Sequence, residues 1–426
     1  MLHFFYSLVF RLALPFVLVR LWWSGRDNPK IRRHWLQRVG LVQRFREPVI
    51  WVHAVSVGET IAAAPLVKTL LRRNPDATIL MTAMTVTGLE RAQAIFGDQV
   101  KYAYSPYDTP GSVRRFVDRI NPRALVIMET ELWPNMIALT RRRQVPIFLI
   151  NARLSERSAR GYAKIGSLVT PLLASIRWIA AQAQDDADRF LRIGAKPETV
   201  SVTGSIKFDV DITDAVRQQA RALRTRLGEG RPMWIAASTH DGEDQQILAA
   251  HRRLLEDVPK ALLVIVPRHP ERFESVARLI QSQGLTLARR SRNDDGSGVQ
   301  VYLGDTMGEL LMLYGAADLA FVGGSLIERG GHNPLEPAAW GIPVLSGPHV
   351  FNFETIYGHL QQGAGVSLVA DSEALHQRLA EFIREPATAQ LAGRNALAVV
   401  DANRGALNRV VDGIISRAQE EGAGAA

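Results

Sequence analysis

The residues able to do chemistry in this 426-residue chain gather at the ends of short apolar runs. "IWVHAVSVGET" passes from Ile50, Trp51 and Val52 into His53, Ser56, Gly58 and Glu59, and an apolar-periodic segment follows at once. A carboxylate on the first turn of a helix serves as a cap or as a proton acceptor, and this stretch alone leaves both open. The helix macrodipole favours the charge there and tends to keep Glu59 ionised. "ALVIMETELWP" puts Glu129 at a strand end and Glu131 two residues on, on the same side of an extended chain. Acidic groups at the end of an apolar strand need partners. Arg153 and Arg157, in the next strand-end loop, are the expected ones. Lys207 follows "VTGSI" at a junction between two halves of the chain.

The second half carries a different set. "VIVPRHPERF" places Arg268 and His269 directly after a strand, where the fork of an arginine suits a phosphate. "GDTMGELL" reads as a capping box, Thr306 to Glu309, with backbone N–H groups from Met307 to Glu309 still available as donors. In "FVGGSLIERGGHNPLEPAAWGIPVL", Gly323 and Gly324 let backbone approach a ligand, and Asn333 with Pro334 predict a helix start. Glu336 lies on that first turn. It would repel a phosphate, so neutral hydroxyls such as those of a ribose suit it better. Asp209-Val-Asp211 has the form of a metal-binding Asp-x-Asp but lies outside these loops and reads as a linker feature.

The elements that must position these residues alternate. From about Pro48, short β runs and amphipathic helices succeed each other, break at a polar helical stretch, and resume at "MWIAAS". This pattern predicts two doubly wound α/β domains with parallel sheets, whose ligands lie beyond the carboxyl ends of the strands, facing across a cleft. The expected divisions are an apolar and basic segment 1–47, a first domain 48–207, a linker helix 208–231 and a second domain 232–419 with C-terminal helices. The tail "EEGAGAA" is expected to be disordered.

No cysteine is present, which removes disulfides, thiolate nucleophiles and zinc-thiolate sites. The net charge of +9 favours anionic partners. Much of it follows "MLHFFYSLVFRLALPFVLVRLWW", an apolar start interrupted by Arg11 and Pro15 and closed by Arg20, Trp22 and Trp23. Aromatic residues beside clustered Arg and Lys predict association with an anionic membrane surface, by docking or by a single anchor, with the body on the cytoplasmic side. A basic nucleic-acid-binding protein would share the charge, but no recognition motif supports it.

The Glu328-x7-Glu336 spacing followed by "AAWGIPV" resembles the nucleotide-sugar domain of GT-B glycosyltransferases. "WVHAVSVGET", "METELWPN", "NARLSERSARGYAK", "VTGSIKFD", "VPRHPERF", the long block from Gly304 and "GPHVFNF" further resemble the bacterial Kdo (3-deoxy-D-manno-octulosonic acid) transferases of lipopolysaccharide synthesis. The resemblance implies an inverting enzyme on the cytoplasmic face of the inner membrane that moves one or two Kdo residues from CMP-Kdo to lipid IVA. It carries the family's base onto Glu59 and its charge-stabilising positions onto Glu129 and Lys207, with Glu131 as a further position. Its CMP contacts fall on Arg268, His269, Met307, Gly308, Glu309, Asn333, Pro334, Leu335 and Glu336. It implies no metal or other cofactor. A GT-B enzyme using a UDP-sugar is the alternative, because it would share the glycines and Glu336.

Overall fold

Residues 1–26 and 29–423 are described by a computed structural model. The chain divides into two units, one comprising Met1–Asp209 and the segment from Arg404, the other Val210–Asn403.

The first unit holds a seven-stranded sheet of β1 (Val49–His53), β2 (Thr78–Ala83), β3 (Lys101–Tyr104), β4 (Pro122–Met128), β5 (Ile147–Ala152), β6 (Trp178–Ala181) and β7 (Val200–Val202). Its order is β3-β2-β1-β4-β5-β6-β7, and neighbouring strands pair in parallel. The second unit repeats the plan with β8 (Met233–Thr239), β9 (Leu262–Pro267), β10 (Leu287–Arg289), β11 (Val301–Leu303), β12 (Leu319–Val322), β13 (Val344–Ser346) and β14 (Val366–Leu368). Here the order is β10-β11-β9-β8-β12-β13-β14, again parallel.

Both faces of each sheet are covered, as parallel sheets require. Along β1, Val49 and Trp51 enter one core while Ile50 and Val52 enter the other. Along β8, Trp234 and Ala236 oppose Met233, Ile235 and Ala237 in the same way. With both faces apolar, polar function is left to the strand ends. In the first sheet the direction of winding reverses between β1 and β4, and in the second between β8 and β12, so each sheet has one crevice there.

Four expectations change. The stretch 208–231 is not a free linker. Its helix, Asp214–Leu227, buries Ala220, Leu223 and Leu227 in the second unit's core, a stripe spaced at three and four residues. The last helix, Ala406–Ala423, leaves the second unit and packs on the first, with Ala406, Val410, Val411 and Ile414 buried there. Gly413 permits this contact, because a Cβ would lie 2.3 Å from the Trp178 ring. This helix also takes in the start of the tail 420–426, whose last three residues lie outside the described ones. Edge strand β10 is an addition to the expected set: its three residues, Leu287–Arg289, run directly into the basic stretch Arg289 to Arg292 and do not stand out as an apolar run.

The N-terminal helix Leu2–Ser24 belongs to the first unit. Its Tyr6 hydroxyl donates to Asp108 at 3.0 Å, and Ser7 Oγ donates to Asn135 Oδ1 at 2.9 Å. The basic run after it is partly structural. Arg38 is 4% exposed, stacks over Tyr104 at 4.1 Å and donates to the Met84 carbonyl at 2.9 Å.

Asp209, from the Asp-x-Asp stretch, has a defined partner. Its two carboxylate oxygens accept from Gly405 and Leu407 N–H, both at 2.7 Å, and so cap the last helix. Asp209→Ala is expected to destabilise the first unit by about 1–2 kcal/mol in urea unfolding. Asp211→Ala should stay within about 0.5 kcal/mol of the parent.

Candidate active site

In the first unit the site forms where the loops after β1 and β4 diverge. Ser56 has extended backbone and caps helix Val57–Arg73, accepting from Glu59 N–H at 3.3 Å. Glu59 reaches back: its Oε2 accepts from Val55 N–H at 2.8 Å and its Oε1 from the Ser56 hydroxyl at 2.9 Å. This is a variant of the capping box, in which the carboxylate takes the N–H one residue before the cap and the cap hydroxyl. A carboxylate offers about four acceptor positions, two per oxygen. Glu59 uses one on each oxygen and keeps one on each for a further donor.

Glu59 is 8% exposed, and burial raises its pKa to about 7 against the bonds from Val55 and Ser56, with Glu131 and Glu129 adding to the rise. Burial therefore outweighs the macrodipole, which alone favours the ionised form. Glu129 follows β4 with a left-handed backbone (φ 56°) and accepts from Lys207 Nζ at 3.0 Å. A non-glycine residue in that region is strained, and the ion pair helps to hold it. Glu131 accepts from Trp133 Nε1 at 2.8 Å, and burial raises its pKa too. The expected pairing of these carboxylates with Arg153 and Arg157 gives way to Lys207 and Trp133, because the chain after β7 returns to the end of β4. Glu59, Glu129, Glu131 and Lys207 thus lie close enough to act on one another, all in the first unit.

In the second unit, Arg268 follows β9, its N–H bonded to the Thr239 carbonyl at 3.0 Å, and exposed His269 comes next. The field of Arg268 reaches His240, His332 and Glu336. Glu336 has its pKa raised by burial, with Asn333 and Arg268 acting in the opposite sense. Asn333 Oδ1 accepts from Leu335 N–H at 3.1 Å, so its side chain caps although the helix, Leu335–Ala339, starts one residue later than expected. Glu309 also departs from its expected part. The following helix begins at Leu310, the Thr306 hydroxyl donates to the Glu309 carboxylate, and Arg290 grips both its oxygens at 2.7 and 3.0 Å. Arg290 lowers its pKa. Gly308 (φ 84°) makes the turn and Met307 is exposed. Both helices are short, so individual N–H groups rather than a macrodipole are what they offer an anion.

Two features escaped the sequence. His240 and His332, 92 residues apart, bring their Nε2 atoms to 2.8 Å with rings stacked, and His269 meets His240 edge-on. Burial, then the neighbouring cations, depress His240 to about 4 and His332 to about 3, so both are neutral near pH 7 and one donates to the other. Glu243 is fully buried. Its Oε2 accepts from Gly324 and His240 N–H at 2.7 and 3.2 Å, and its Oε1 from Ser325 and Leu326 N–H, both at 3.0 Å. All four acceptor positions are filled. The Gly323-Gly324-Ser325 turn therefore wraps an internal carboxylate, and those N–H groups are not open to a phosphate.

The comparisons with known proteins agree with this layout. Residues 33–210 match the family described as 3-deoxy-D-manno-octulosonic-acid transferase (kdotransferase), and residues 242–398 match glycosyl transferases group 1. The 3-deoxy-D-manno-octulosonic acid transferase of Haemophilus influenzae is 41% identical over 417 residues, 97% of this chain and 98% of the relative. That of Bordetella pertussis is 40% identical over 380 residues, 86% of each chain. The solved UDP-GlcNAc 2-epimerase of Neisseria meningitidis, bound to UDP-GlcNAc, aligns with 87% of this chain and 100% of its own at a TM-score of 0.57. At 14% identity it shares the fold alone. Two doubly wound parallel sheets with a group 1 transferase match in the second define a GT-B glycosyltransferase. Within that class, the chain belongs to the Kdo transferase family.

Glu243→Ala would leave three buried N–H groups, and a partly buried fourth at His240, without an acceptor. It is expected to destabilise the second unit by about 3 kcal/mol or more, measured by urea unfolding. Glu243→Gln, which keeps one carbonyl oxygen in place, should lose clearly less.

Proposed function

We propose that the chain transfers Kdo from CMP-Kdo to lipid IVA with inversion at the anomeric carbon, without a metal, at the cytoplasmic face of the inner membrane. The observation that carries the mechanism is Glu59: a buried carboxylate at the β1/β4 divergence, with pKa about 7 and one free acceptor position on each oxygen. A base with its pKa near the working pH combines adequate ionisation with a useful affinity for the proton. Glu59 takes the proton of the acceptor hydroxyl as that oxygen bonds to the anomeric carbon and CMP departs with the electron pair of the broken bond. Lys207, held by Glu129, stabilises the charge on the acceptor side, and Glu131 supports the raised pKa of Glu59.

The donor contacts are those the family resemblance assigns. Arg268 and His269 meet the phosphate of CMP, assisted by N–H groups at Met307, Gly308 and Glu309 and at the start of Leu335–Ala339. Glu309 is already held by Arg290, so its part is to fix the loop that presents those N–H groups. Glu336, with Asn333 beside it, suits the ribose hydroxyls. The apolar and basic N-terminal helix keeps the enzyme where its lipid acceptor resides.

Incubation with lipid IVA and CMP-Kdo in EDTA, read by product mass, should add one or two Kdo residues. Product from UDP-sugars only, or full loss in EDTA rescued by a divalent ion, would overturn the donor or the metal-free reading respectively. Glu59→Gln should lower kcat by about 10²–10⁴-fold with CMP binding retained. In the parent, kcat/KM should fall by about tenfold per pH unit below a pKa near 7, as the base becomes protonated. Arg268→Ala should weaken CMP binding and slow transfer, while unchanged kinetics would remove it from the donor site.

A further inference from the structure

The N-terminal helix lies along the first unit with one face inward. Tyr6, Ser7, Ala13, Leu14, Leu18 and Leu21 are partly buried, a spacing of three, four and seven residues that defines a helical stripe. The bonds from Tyr6 and Ser7 fix this face at the start of helix Pro134–Arg142. The opposite face leaves Phe4, Val9, Leu12, Phe16, Val19 and Trp23 in solvent. Such a face, on a 23-residue helix long and apolar enough to cross a membrane, suits contact with lipid.

Arg11 is the anomaly in this helix, a cation among apolar neighbours. It contributes to the lining of a basin of about 340 Å³ between the N-terminal helix and helices Pro110–Ile120 and Pro134–Arg142. Arg114, Arg142 and Arg143 line the same basin, with Asp118 as its one acidic group and Leu139 as part of its apolar floor. Asp118 is paired with Arg143. Arg11, Arg114 and Arg142 have no hydrogen-bonding or ionic partner among the described residues. Three uncompensated guanidinium groups around one concavity repel each other, and a phosphate with several acceptor oxygens relieves that repulsion.

We propose that this basin is a binding site for the phosphate of an anionic membrane lipid, whose acyl chains extend along the exposed apolar face of the N-terminal helix. This proposal rests on the membrane association given above and names its site. The exposed apolar side chains of the helix that carries Arg11 point to a phosphate borne by a lipid. Arg11 then has a role suited to its position: it turns from the helix toward a headgroup and does not enter hydrocarbon.

The test is sedimentation of the full chain with phosphatidylcholine vesicles, with and without about 20 mol% phosphatidylglycerol. Arg114→Ala/Arg142→Ala is compared with Arg123→Ala/Lys196→Ala, an equal charge change elsewhere on the same unit. The parent should bind the anionic vesicles more tightly than the neutral ones. The basin pair should lose at least about tenfold in affinity for anionic vesicles, and the control pair less than about twofold. Equal losses in both pairs would mean diffuse attraction and would overturn the site alone. Glycerol phosphate binding as tightly as the vesicles would also overturn it. A parent that binds neither vesicle would overturn the membrane reading itself.

Discussion

Parallel strands buried on both faces leave no room for polar groups except at their ends, and the layout of this enzyme follows from that constraint. The interiors of the central strands are committed to the cores on their two faces, so the ionisable groups of the candidate site fall in the loops beyond the carboxyl ends. Where the winding reverses, adjacent loops part in opposite directions and leave a crevice. The first unit uses that crevice for Glu59 and Glu129, and the second uses its own for His240 and the glycine turn held by Glu243.

Two buried glutamates show how the count of donors divides structure from chemistry. Glu243 has four backbone N–H groups on its two oxygens and nothing left to offer a substrate. Glu59 has one N–H and one hydroxyl and keeps two acceptor positions, while burial raises the pKa of both carboxylates. Both are withdrawn from water, and the difference lies in how many acceptor positions the backbone has claimed. The cap that Glu59 forms is compatible with the role of base proposed for it: it fixes the rotamer and leaves open the acceptor positions that the proposed reaction requires.

Much of the plan was legible in the residues. Thirteen of the fourteen strands carried apolar runs long enough to read, and the strand-end positions of Glu59, Glu129 and Arg268 followed directly. What stayed hidden depended on contacts between distant segments. Lys207 meets Glu129 only because β7 and β4 end on the same side of one sheet. Glu243 sits in "THDGEDQQ", a polar run that looks solvated, and no local pattern separates it from Asp241. The histidine contact spans 92 residues and has no periodicity. The C-terminal helices read as part of the second domain, and nothing local marked the last of them as belonging to the first sheet.

That last helix has a consequence for how the molecule is made. The first unit is interrupted: its sheet is complete by β7, but one of its cores needs Ala406, Val410, Val411 and Ile414, which are synthesised after all of the second unit. Domains of a nascent chain ordinarily close in order from the amino end. Here the second unit is continuous, whereas the groove beside Trp178 has no cover until residues 406–414 have been made. The surface a cell would need to shield during translation is thus the one the finished enzyme covers last.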